Sequence, residues 1–237
     1  MDFAGVARRI LEENMGLKSS ETFLVLYDQT TLRIGESLFE AAGMIGAKAL
    51  AMRMPLLSKN GEEPTAPAAA AMAHSDVVIA ATGTSLTHTQ AKKKACAAGA
   101  RIATMPKITE DMFFNGPITA DYAKVADLTR RVTALVSDAK TAELHSGGCV
   151  MRMSLEGRLA ISSTGIYRNR GESGNLPSGE SYIAPVEGTA EGEVLVDGSF
   201  AGLGVLSAPL HLVFKKGLLV KAEGPDAGRL EKMLGDN

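Results

Sequence analysis

The chain has 237 residues, with 25 Lys or Arg against 27 Asp or Glu, a formal charge of −2 with histidine neutral. Hydrophobic residues at 45% and charged residues at 22% exclude a disordered chain, because that much apolar matter covers the entropy cost of folding. The near-neutral balance and an aromatic content of 5% without Trp argue against nucleic acid, an anionic membrane surface or a base-stacking platform as partner.

Residues 3 to 15 have helical spacing, with Val6, Ile10 and Leu11 on one side and Arg8, Arg9, Glu12 and Glu13 on the other, and Gly16 ends the helix. Thr22-Phe-Leu-Val-Leu-Tyr27 is apolar on both faces, the mark of a strand buried in a parallel sheet. A helix over Leu32 to Ile45 and a strand over Lys48 to Met54, stopped by Pro55, complete a βαβ unit. A polar loop at 57–67 leads to a short helix at 68–73, and Asp76 to Ala81 is the next buried strand. Gln90 to Ala98 is a helix capped by Gly99, Arg101 to Met105 a fourth strand, and 109–114 and 119–137 are helices.

From residue 140 the pattern changes to short alternating segments between glycines: 149–155, 158–163, 181–186, 193–196, 210–214 and 218–222. These predict antiparallel strands, with turns at Glu156-Gly157 and Lys216-Gly217, before a helix from Pro225 to Leu234. The expected fold is therefore α/β. A doubly wound, Rossmann-like parallel sheet occupies 1–139, and a β-rich antiparallel domain occupies 140–237.

The amino terminus lacks a basic region followed by an apolar run, and no uncharged apolar stretch reaches the roughly 18–20 residues of a membrane helix. A cytoplasmic protein without a membrane partner is expected. Cys96 and Cys149 fit no zinc spacing and read as reduced core thiols. Homodimers are common, so a homodimer is the assembly to test, although no stripe marks an interface.

Phosphate-loop and dinucleotide glycine signatures are absent, as are H-E-x-x-H and G-x-S-x-G. Two segments are left that can carry chemistry. Thr82-Gly-Thr-Ser-Leu-Thr-His-Thr89 lies where a parallel strand gives way to a helix. Its hydroxyls and free N–H groups can hold an anionic ligand, and His88 can exchange a proton near pH 7. The structural alternative makes Ser85, Thr87 and Thr89 helix caps and His88 a first-turn residue.

The second segment runs from Gly174 to Gly192. Asn175, Pro177 and Gly179 fix a non-repetitive backbone that presents Glu180 at a strand entry, as a metal ligand or a general base. Glu187, Glu191 and Glu193 add acidic density, and the structural alternative is a hairpin loop with solvated carboxylates.

Five stretches carry a resemblance. They are Ser85-Leu-Thr-His-Thr89, Gly99-Ala-Arg-Ile-Ala-Thr-Met-Pro106, Ile108-Thr-Glu-Asp-Met-Phe113, Asp121-Tyr122, and Asn175-Leu-Pro-Ser-Gly-Glu180 with Ala184-Pro-Val-Glu-Gly188. In order, from about residue 20 to the end, they resemble the aminopeptidase T family of leucyl aminopeptidase-like thermophilic metallopeptidases. That family also includes iron-using 2,5-dihydroxypyridine dioxygenase-like members. The resemblance implies a metal-dependent hydrolase that releases N-terminal amino acids from peptides. Glu180 would be a ligand and catalytic residue, His88 would be catalytic, and Ser85, Thr87, Thr89 and Asn175 would contact a small peptide or small-molecule substrate.

The metal would be zinc, cobalt or manganese in the hydrolase and Fe(II) in the alternative, a dioxygenase opening hydroxylated pyridines. A second alternative is a non-catalytic module that binds a small anion. The resemblance places further ligands (a second Glu, two His, a Tyr and an Asp) beyond Asn237, so a truncated chain with a partial metal site is expected.

Overall fold

The computed structural model describes residues 2–235. The chain forms two compact units: the residues up to Arg130 together with Ser162–Glu180, and Arg131–Ile161 together with the residues from Ser181 onward.

Unit 1 is built on a five-stranded parallel sheet. β1 (Thr22–Tyr27) pairs with β2 (Lys48–Arg53) on one side and β3 (Val77–Ala81) on the other. β4 (Arg101–Thr104) follows β3, and a short strand, Ser173–Asn175, closes the far edge. Alternation along each strand divides the core in two. Phe23, Val25, Val77, Ile79 and Ala103 pack with α1 (Phe3–Arg9) and α2 (Leu32–Ile45). Leu24, Leu26, Val78, Ala80 and Ile102 face α3 (Ala66–Ala73) and α4 (Gln90–Ala98). Both faces are thus covered, and the doubly wound α/β fold expected from the two-sided apolar strands is present.

Unit 2 is an antiparallel sheet of five strands, in the order Leu218–Glu223, Leu210–Lys215, Glu191–Val196, Cys149–Ser154 and Thr141–Ser146. Leu206, Leu210 and Leu212 on one side of it meet Leu230 of the helix Ala227–Leu234. No helix among the described residues is long and apolar enough to cross a membrane.

The structure corrects four local expectations. The first helix breaks at Arg9 into a single π turn, Ile10–Asn14. The Glu156-Gly157 turn does not close a hairpin, because the Cys149–Ser154 strand pairs backwards with Thr141–Ser146 through Gly147-Gly148. Both glycines have positive φ, +56° and +83°, a backbone that favours glycine. The last helix begins after Asp226, so Pro225 lies outside its first turn. Finally, Ser173–Asn175 belongs to the parallel sheet, although its Ser-Gly-Asn sequence has no strand pattern.

Candidate functional site

The segment that returns to the edge of the parallel sheet is held from the amino-terminal helix. The π turn turns the buried Asn14 inward, where its side-chain Nδ2 donates to Gly165 O at 2.7 Å and its carbonyl accepts from Tyr167 N at 2.8 Å. Arg168 adds a bond from Nε to Glu13 O at 2.9 Å. The chain so anchored runs into Ser173–Asn175, whose last residue is the register partner of Thr104 at the carboxyl end of β4. After it come a cis Leu176–Pro177 bond and Gly179 at φ +140°.

Two buried phenols grip this turn. Tyr167 Oη donates to Asn175 O at 2.8 Å, and Tyr122 Oη accepts from Ser178 N at 3.4 Å. Burial pushes both phenols above their ordinary pKa, and at Tyr167 the Glu180 carboxylate adds to the effect. Both therefore stay protonated at neutral pH. Ser178 is tied to Ser163 through its hydroxyl, 2.7 Å to Oγ and 3.0 Å to the carbonyl. A Cβ at Gly174 would fall on the Tyr167 hydroxyl, so any side chain there must displace the phenol.

Beside the turn lies an open cleft of about 420 Å³, lined by Pro117, Asn175, Pro177, Ser178, Gly179 and Glu180. Asn175 is oriented by a chain of hydroxyls. Ser85 Oγ donates to Thr87 Oγ1 at 2.9 Å, Thr87 and Thr104 are 2.8 Å apart, and Thr104 Oγ1 donates to Asn175 Oδ1 at 2.7 Å. Thr87 also reaches Asn175 Oδ1, at 3.1 Å. One proton per hydroxyl fits a relay that ends on Oδ1, which leaves the Asn175 amide NH2 as the group available to a ligand.

The sequence-derived candidates fall into four places. Asn175 and Glu180 line the cleft, with Glu180 exposed at its rim. Ser85 and Thr87 stand behind Asn175 and position it. Thr89 is fully buried, and its hydroxyl is committed to the α4 cap, donating to Leu86 O at 2.8 Å and accepting from Lys92 N at 3.3 Å. His88 is exposed and is not among the residues lining the cleft.

The free N–H groups expected at the start of α4 are not free. Glu63 accepts from Gln90 N at 2.5 Å and from Ala91 N at 3.0 Å, so the anion site at this helix is already filled by the chain's own carboxylate. The reversal of strand order between β1 and β3, where ligands often sit, is likewise stapled by Gly83 N donating to Asp28 Oδ2 at 2.6 Å.

The acidic density expected near Glu180 is dispersed. Glu187 pairs with Arg158, Glu191 accepts from Lys216 N at 2.7 Å, and Glu193 bonds His211 at 2.9 Å. Cys149 is not a core thiol. It is half-buried, and with Glu193 and His211 it forms a group whose ligand-capable atoms all lie within 4.8 Å of one another. Sequence spacing could not reveal that group, because its members come from three strands paired only in the folded sheet.

Several solved structures share the fold. One is the 2,5-dihydroxypyridine dioxygenase from Pseudomonas putida KT2440, with TM-score 0.83 and 18% identity, over 98% of this chain and 71% of that chain. Another is wild-type AmpT from Thermus thermophilus, with TM-score 0.69 and 16% identity, over 98% of this chain and 73% of that chain. No curated protein matches the sequence. The family model for 2,5-dihydroxypyridine 5,6-dioxygenase matches residues 3–234, a span that contains the hydroxyl relay, both phenols and every residue of the cleft. Of the two branches joined in the sequence resemblance, it is the dioxygenase one that this match describes, and the chain belongs to the 2,5-dihydroxypyridine 5,6-dioxygenase family.

Proposed function

We propose that the chain serves the oxidative ring opening of a hydroxylated pyridine and binds the ring in the cleft beside Asn175 and Glu180. The family match across residues 3–234 carries this reading. The geometry is compatible with it. A cleft of about 420 Å³ lies within the range of small-molecule sites. Pro117 and Pro177 offer apolar surface to a flat ring, the Asn175 NH2 can donate to a ring oxygen, and the Glu180 carboxylate can accept from a ring hydroxyl. Ser85, Thr87 and Thr104 keep the amide of Asn175 in one orientation.

Ring opening by oxygen calls for a redox-active ion such as Fe(II), which in oxygenases of this kind takes two histidines and a carboxylate. The described residues of the cleft offer one carboxylate, Glu180, and that does not fit such an ion. No reaction step is therefore routed through a metal. What the chain's residues do in this reading is bind the ring, orient it, and accept a hydrogen bond from it at the Glu180 carboxylate.

Anaerobic titration of 2,5-dihydroxypyridine, followed by the shift of its ring absorbance, is the test. The expected result is saturable binding that Asn175→Ala weakens. Cleavage of aminoacyl anilides with cobalt or zinc, without ring binding, would replace this reading with a peptidase. Binding of small carboxylates without either would replace it with an anion-binding module.

A further inference from the structure

Unit 2 brings four side chains from four strands onto one patch of its sheet. Cys149 opens the Cys149–Ser154 strand, Glu193 lies on Glu191–Val196, His211 on Leu210–Lys215, and Glu223 ends Leu218–Glu223. The ladder explains the convergence. His211 is the direct partner of Glu223 on one side and of Leu195 on the other, and Leu195 is two residues from Glu193, on the same face. His211 Nε2 lies 2.9 Å from the Glu193 carboxylate, and its Nδ1 lies 3.1 Å from that of Glu223.

We propose that Cys149, Glu193 and His211 form a binding site for a zinc-class divalent cation, with Glu223 orienting the imidazole. The donor set is thiolate, carboxylate and imidazole, the three side-chain ligands zinc takes. A thiolate favours zinc and its softer neighbours over magnesium or calcium. Tetrahedral zinc, with bonds of about 2.0–2.3 Å, holds its ligand atoms roughly 3.3–3.8 Å apart. The three atoms here already lie within 4.8 Å, so side-chain adjustment of about 1 Å closes the site.

Glu223 supplies the second feature of such centres. A carboxylate on Nδ1 fixes the proton there and leaves the Nε2 lone pair aimed at Glu193 and Cys149. The His211 side chain is 27% exposed and Cys149 is half-buried, which leaves an entry path and room for water as a fourth ligand. Without a cation, the same atoms would be an imidazolium between two carboxylates, with the thiol a bystander. The thiol therefore decides between the two arrangements. The site lies wholly within unit 2 and does not rest on the function proposed for the cleft in unit 1.

Cobalt titration of the metal-free full chain tests the proposal. The expected result is a thiolate-to-cobalt charge-transfer absorption that saturates at one ion per chain and that zinc displaces. Cys149→Ser should remove the absorption, and Cys96→Ser should keep it. Glu223→Gln should keep it while weakening affinity about 10–100-fold. A readout on the unaltered protein guards against a misfolded variant: saturating zinc should protect Cys149 from alkylation. The proposal fails if the unaltered protein shows no thiolate absorption, if the absorption persists in Cys149→Ser, or if zinc leaves Cys149 alkylation unchanged.

Discussion

Thr104 Oγ1 lies 2.7 Å from Asn175 Oδ1, across the register pair that joins β4 to the last strand of the parallel sheet. This contact connects the interior of the sheet to the cleft. It uses the amide oxygen of Asn175 and so orients the amide nitrogen. Thr104→Val keeps the shape and removes the donor. A neutral hydrogen bond of about 0.5–1.5 kcal/mol is lost, so affinity for a dihydroxypyridine should fall about 2- to 13-fold with little change in melting temperature. Calorimetric titration under anaerobic conditions reads both the affinity and its enthalpy.

Gly174 and the Tyr167 hydroxyl occupy adjoining space, and a methyl at 174 cannot fit without moving the phenol. Gly174→Ala should destabilise the chain by about 1–3 kcal/mol, the usual consequence of overpacking. In a Tyr167→Ala background the same change should add less, because the hydroxyl and the ring carbons next to it that obstruct the methyl are gone. Urea denaturation of the two single variants and the double variant measures that coupling.

The sheet interior was legible in the sequence because Phe23 to Leu26 and Val77 to Ala81 are apolar on both faces, a pattern only a doubly covered strand needs. The Asn175 to Glu180 turn was legible from its proline and glycine. The fifth parallel strand was not. Ser173, Gly174 and Asn175 have no strand propensity, and they pair with β4 because Asn14, Tyr167 and Leu176, distant in sequence or outside the strand, fix the segment in place. The capping of α4 by Glu63 was hidden for a similar reason: a carboxylate in a polar loop gives no sign of which helix it will meet. Cys149 looked like a core thiol because its neighbours on the sheet lie 44 and 62 positions away.

Glu21 and Arg101 form a bidentate pair at the amino ends of β1 and β4, with bonds of 3.0 and 2.7 Å and side chains 16% and 6% exposed. Burial pushes the Glu21 carboxyl up, but the Arg101 guanidinium and the Lys18 N–H outweigh it and hold it below the ordinary value. For an acid depressed in the fold, the stabilisation is full above its unfolded pKa and is lost as pH falls through the folded one. Glu21→Gln should remove that acid-side dependence. It should also cost about 3–5 kcal/mol at neutral pH, since it leaves a buried guanidinium without its counter-charge. Denaturant midpoints measured from neutral to acidic pH test both expectations.

Thr89 and Glu63 together satisfy the first N–H groups of α4. Thr89→Ala should therefore act as the loss of a helix cap, lowering stability by about 0.5–2 kcal/mol while leaving affinity for a ring ligand unchanged. A fall in affinity without a fall in melting temperature would place the Thr89 hydroxyl in the binding site instead.

The central claim is that the cleft beside Asn175 and Glu180 is where a hydroxylated pyridine binds. Anaerobic titration of 2,5-dihydroxypyridine into the unaltered chain, Asn175→Ala and Glu180→Gln, with circular dichroism confirming the fold, measures this directly. The account predicts saturable binding that each substitution weakens about tenfold or more, the loss of a hydrogen bond to a charged or oriented group. Saturable binding of equal strength in all three proteins would contradict it.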